Sequence, residues 1–154
     1  MKRMFFVVAV AAMFVSLEIA SPAYVATHEV QMLNKNPDNA KQRMVFLPSY
    51  LQIAPGDTVI FKAVDKGHNT VSIKGMIPEG ATPWKSKMNK DFEVTLEKEG
   101  VYGYNCMPHF GMGMVGVIQV GGDIANLKTA KGAKMPGKAK KVFDEIFAEM
   151  ESGE

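Results

Sequence analysis

The chain of 154 residues has one cysteine, one tryptophan and three histidines. A lone cysteine excludes any internal disulfide, so the fold needs a hydrophobic core of its own. Three histidines are too few for a second histidine cluster, which excludes an oxygen-reducing multi-copper centre or a similar enzyme site. Charge of one sign is also missing: 18 basic and 16 acidic residues leave +2, which gives no footprint for nucleic-acid binding. The longest apolar run, Met4 to Leu17, has 14 residues and is too short to span a bilayer comfortably. No internal repeat or low-complexity tract is visible.

That run follows Lys2 and Arg3, ends at Glu18 and precedes the small residues Ser21-Pro22-Ala23. The pattern is that of a cleaved export signal over residues 1–23, with cleavage after Ala26 as the alternative. Removing it leaves 131 residues, 16 of them basic and 15 acidic, enough for one domain that does not insert into a membrane. An unpaired thiol is a liability in an oxidising compartment, and metal ligation would give it a purpose.

The mature chain divides into two parts. Residues 24–122 carry short β signals: Val30–Leu33, Met44–Leu47, Tyr50–Ile53, Thr58–Val64, Asp91–Leu96, Val101–Tyr104 and Met114–Val120. Turn residues such as Pro55-Gly56-Asp57 separate them, and the spacing predicts an antiparallel sandwich or barrel. Residues 73–89, with Pro78, Gly80 and Pro83, read as a long irregular connection that places Trp84 over one edge of the core. Residues 123–154 read as helical, with Asp123 as the N-cap of a helix over Ile124–Lys131. A second helix over Lys138–Met150 places Val142, Phe143, Ile146, Phe147 and Met150 on one face.

The chemistry concentrates in Cys106-Met107-Pro108-His109-Phe110-Gly111-Met112-Gly113-Met114. A thiolate, an imidazole and a thioether within nine residues select copper, and Cys, two His and a distant Met form a blue-copper electron-transfer site. The second imidazole is His68, in Asp65-Lys66-Gly67-His68-Asn69. His28 lies near the new N-terminus and is set aside. Four protein donors leave no open position for substrate, so the chain is read as a carrier and not an enzyme. A periplasmic copper chaperone or store is the alternative reading, motivated by 12 methionines. Lys62, Lys66, Lys74, Lys85, Lys87 and Lys90 surround the His68 segment and would steer an acidic partner.

The combination C-x₂-H-x₄-M with an upstream Gly-His-Asn resembles the cupredoxins. Met32-Leu33-Asn34-Lys35, Pro55-Gly56-Asp57-Thr58-Val59, Met76-Ile77-Pro78-Glu79-Gly80 and the helical tail resemble the pseudoazurin branch of that family. The resemblance implies an all-β Greek-key sandwich (cupredoxin-like) with two C-terminal α-helices. It also implies one copper ion per chain, held by His68, Cys106 and His109 with Met114 as the long axial ligand. His109 would pass the electron within an apolar patch of Met44, Pro108 and Met112, and lysines such as Lys35, Lys66 and Lys85 would dock acidic redox proteins. The implied partners are copper nitrite reductase as acceptor in denitrification and cytochrome c as donor, for a monomer in the periplasm. Met107 stands where the resemblance leads one to expect Thr or Ser, so Asn69 is expected to lose a hydroxyl partner, loosening the loop and altering the reduction potential. Asn105 stands where some members have Lys.

Overall fold

The computed structural model describes residues 24–153, so the export signal read over residues 1–23 lies outside the described residues. Eight strands form two four-stranded sheets. They are β1 (Thr27–Lys35), β2 (Arg43–Leu47), β3 (Tyr50–Ile53), β4 (Thr58–Lys62), β5 (Val71–Ser72), β6 (Phe92–Thr95), β7 (Gly100–Asn105) and β8 (Val115–Val120). One sheet has the order β2-β1-β4-β6 and the other β3-β8-β7-β5. Helices α1 (Leu127–Lys131) and α2 (Gly137–Ser152) follow.

The sandwich is present, but the expectation of antiparallel sheets is corrected. β1 runs parallel to β4, and β3 runs parallel to β8. The corner Pro48-Ser49 carries the chain from β2 in one sheet to β3 in the other. Parallel neighbours cannot be joined by a tight hairpin and need crossings of this kind. β5 has only two residues, too few for any periodicity, and went undetected in the sequence.

Two apolar clusters account for the strand patterns. Between the sheets, Phe46 and Phe61 meet the Tyr104 ring nearly edge-on at 4.8 and 5.0 Å. Trp84 is buried there, stacked on Tyr102, with its indole N–H donated to Thr70 Oγ1 at 3.1 Å. On the far side of the second sheet, Val115 and Val117 pack with Leu127, Phe143, Ile146 and Phe147 of the helices. Strands β7 and β8 are therefore buried on both faces, which is why Val115–Val120 reads as nearly continuous apolar sequence. Strand β6 is half-wet and alternates.

The tail also departs from expectation at its start. Asp123 does not cap a helix from Ile124; its Oδ1 accepts the Ala125 N–H at 2.8 Å, closing a local turn. Asn126 hooks onto β7, accepting the Val101 N–H and donating to the Val101 carbonyl, both at 2.8 Å. The helix starts only after that hook, at Leu127. In α2 the expected face is the buried one, with Ala139, Phe143, Ile146 and Phe147 inside and Val142 and Met150 partly covered. No helix among the described residues is long and apolar enough to cross a membrane.

Candidate metal centre

Cys106 directly follows β7, a 3-10 turn over Met107–Met112 comes next, and Met114 precedes β8. The turn is stiffened by Pro108 in its first positions. Backbone hydrogen bonds close a ring through three of the four expected ligands. Cys106 N–H donates to the Met114 carbonyl at 3.0 Å, Met114 N–H to the His109 carbonyl at 3.2 Å, and His109 N–H to the Cys106 carbonyl at 3.1 Å. These residues therefore move as one unit.

His68 arrives from the segment between β4 and β5, and Gly67 before it has φ +95°. That left-handed conformation suits glycine, and it lets the backbone pass beside the His109 ring, where a Cβ would lie 3.8 Å from Cε1. Asn69 ties the two segments together: its Oδ1 accepts the Met107 N–H at 2.9 Å. The expected loss of a hydroxyl partner therefore does not undo the tie between the segments. The main chain of Met107 supplies the donor, so the side chain at 107 is not needed for the tie.

The donor atoms converge. Cys106 Sγ lies 3.7 Å from His68 Nδ1 and 3.5 Å from His109 Nδ1, and all three atoms fall within 4.8 Å of one another. A three-coordinate metal with bonds of about 2.3 Å to sulfur and about 2.0–2.1 Å to nitrogen would separate those atoms by about 3.8 Å. The cluster matches that spacing, and its thiolate and imidazole donors suit copper. Cys106, His68 and Met114 are fully buried, and His109 is half-buried.

Protonation follows from burial. Desolvation first, then the neighbouring His109, depresses the His68 pKa, against a smaller opposing effect of Asp65. His68 is thus held neutral, as a ligand must be. Its other ring nitrogen, Nε2, faces Asn34 Oδ1 at 3.1 Å. An amide oxygen only accepts, so the proton sits on Nε2 and Nδ1 presents its lone pair to the cluster. Burial pushes the Cys106 thiol up, with the backbone amides of Asn69 and His109 acting the other way. Metal binding therefore releases a proton from sulfur.

Sequence reading missed the role of Asn34. Its tie to His68 spans 34 positions and arises because β1 lies parallel beside β4, so no local spacing signals it. His28 stands apart from the cluster and pairs with Asp57 at 2.8 Å. Around His109, Pro108, Met107 and Met112 are exposed, and Met44 is partly buried against the inter-sheet core. Lys35, Lys66 and Lys85 are exposed, whereas Lys62 is paired with Asp91.

Residues 30–121 match the family model for copper binding proteins of the plastocyanin/azurin family. The chain is 47% identical over 134 residues to a pseudoazurin of Paracoccus pantotrophus, covering 87% of this chain and 90% of that one. Among solved structures, a pseudoazurin from Sinorhizobium superposes with a TM-score of 0.80 at 52% identity, over 84% of this chain and all (100%) of that one. The pseudoazurin of Methylobacterium extorquens AM1 gives 0.76 at 40% identity, over 80% and 98% of the two chains.

Proposed function

The chain belongs to the plastocyanin/azurin family of copper-binding proteins and within it to the pseudoazurins, electron carriers with a copper cofactor and no enzymatic activity, and from this we propose that His68, Cys106 and His109 hold one copper ion with Met114 as the weak fourth donor. The observation that carries this reading is the convergence of two neutral-capable imidazole nitrogens and one thiol within 4.8 Å. When bound, copper supplies a one-electron couple suited to a thiolate–imidazole site. The protein's own residues do the rest. Cys106 gives up its proton and is kept from solvent; His68 is fixed in one tautomer by Asn34; the backbone ring of Cys106, His109 and Met114 holds the donors in place. Such a prearranged site needs little rearrangement as charge changes.

His109 is half-buried where the other donors are covered, and its ring edge is the exit for the electron. Pro108, Met107 and Met112 surround it with apolar surface, and the exposed Lys35, Lys66 and Lys85 favour an acidic partner. The carrier works as a monomer in the periplasm after removal of residues 1–23, taking electrons from a cytochrome c and passing them to a denitrification reductase such as copper nitrite reductase. The sandwich over 24–122 carries the site, and the helices over 123–154 form its extension.

The test is an absorption and spin-resonance spectrum of the purified, copper-loaded protein. An intense visible thiolate-to-copper band that bleaches with reductant is expected, and Cys106→Ser should abolish it while copper remains bound. A metal content above one per chain without that band would favour the storage alternative. Turnover of nitrite by a copper nitrite reductase, driven by the reduced protein, tests the partner.

A further inference from the structure

The C-terminal helix is packed against the metal loop as well as against the sheet. Gly113, immediately before Met114, has φ +89°. A Cβ built on it would lie 3.3 Å from Val142 Cγ2 and 3.4 Å from the Lys138 carbonyl oxygen, both on the first turns of α2. The loop therefore packs closely on the helix, where even a Cβ at position 113 would be crowded. The helix in turn is fixed by Ala139, Phe143, Ile146 and Phe147, which are buried against Val115 and Val117 of β8.

We propose that Val142 and the first turns of α2 act as a positioning element for the metal loop, setting where the sulfur of Met114 stands relative to His68, Cys106 and His109. The proposal rests on the ligand reading above. Its mechanical basis is the ring of hydrogen bonds: Met114 N–H reaches the His109 carbonyl and the Met114 carbonyl accepts from Cys106 N–H. A displacement of Gly113 is therefore passed to Met114 and shared with two further ligands. Packed interiors transmit such displacements because they contain few voids. The weak axial donor is the one most easily moved, and it tunes this class of site.

The expected behaviour has a sign. Shortening the prop with Val142→Ala lets the loop relax toward the helix, so Met114 withdraws from the other donors. The higher-energy thiolate-to-copper band should then lose intensity relative to the lower-energy one, and the spin-resonance signal should become more axial. Val142→Ile lengthens the prop and should move both in the opposite direction. In the metal-free protein, Val142→Ala should also speed hydrogen exchange at the Met114 amide.

Phe147→Leu, on the buried face of α2 and more than a turn further along, is the control for general loosening. It should lower stability without moving the band ratio. The inference is overturned if both Val142 variants leave the band ratio and reduction potential of the wild type, or if Phe147→Leu shifts them as much. A wild-type protein with no charge-transfer band would instead overturn the ligand reading itself.

Discussion

Asn34 illustrates how far one polar atom can reach into a metal site. Its Oδ1 fixes the His68 ring through Nε2, and partners of that kind typically govern metal affinity by 10–100-fold. Asn34→Leu is expected to weaken copper binding by about that factor, measured by competition with a chelator of known affinity, with the thiolate band retained. Met107 is the converse case. Its main-chain N–H does the work and its side chain is 54% exposed. Met107→Thr should change stability by no more than about 0.5 kcal/mol, the usual range for a surface substitution away from special features, in urea unfolding. Asn69→Ala, which leaves the Met107 N–H without its acceptor, should cost about 1–3 kcal/mol. At this scale the grouping of His68, Cys106 and His109 was legible because thiol and imidazole are rare in the chain, with one cysteine and three histidines. Asn34 and the Asn69 tie were not, since each is made across more than thirty positions by the way strands pair.

Elements differ in how openly they are written. Helix α2 was legible from the spacing of its apolar face, and its boundaries came within two residues. β5 was not, and the start of α1 was displaced by a side-chain hook from Asn126 that propensity cannot show. The buried face of α2 also predicts a large effect: Phe143 is fully buried between the helix and β8, so Phe143→Ala should destabilise by about 3–5 kcal/mol in urea unfolding. The turn before β4 carries a different dependence. Asp57 is buried and accepts hydrogen bonds from the Ala26 and Ala54 N–H groups at 2.8 and 3.1 Å and from His28 Nε2 at 2.8 Å. The His28 contact first, then the Ala26 amide, holds its pKa below the usual carboxylate value. A depressed folded pKa means the stabilisation is complete above the ordinary carboxylate range, at about 3.9, and is lost as pH falls through the lower folded value. The urea midpoint should therefore fall steeply below about pH 4, and Asp57→Asn should flatten that acid limb. Ala26 is held from both sides in the same clasp, because its carbonyl also accepts the Thr58 N–H at 3.0 Å. A chain beginning at Tyr24 would keep that ladder whole, and one beginning at Thr27 would lose its first rung.

At the scale of the molecule, net charge and charge placement point to different behaviour. Residues 24–154 carry 16 basic and 15 acidic side chains, so their total charge cannot steer a partner from a distance. Only local clustering can. Lys66 is two residues from His68, Lys35 follows Asn34, and Lys85 bridges to Val71, whose strand partner Asn105 precedes Cys106. These cations therefore lie on segments that adjoin the site, while Lys140 and Lys141 on α2 are matched by Asp144 and Glu145. Steering by a local patch raises association rates by about 10–10³ and fades as the Debye length shrinks from about 10 Å at 0.1 M salt to about 3 Å at 1 M. Stopped-flow electron exchange with an acidic redox protein should slow with added salt, and replacing Lys35, Lys66 and Lys85 by Glu should slow it at least about tenfold at low salt. Replacing Lys140 and Lys141 by Glu should leave the rate nearly unchanged. The reduction potential, set by the donors themselves, should hold steady in both sets, so a loss of rate without a shift in potential would locate the effect at the encounter. If the two sets of outcomes coincided, with α2 and site-side lysines equally sensitive, the encounter would depend on total charge and the lysines near His68 would have no special part in it.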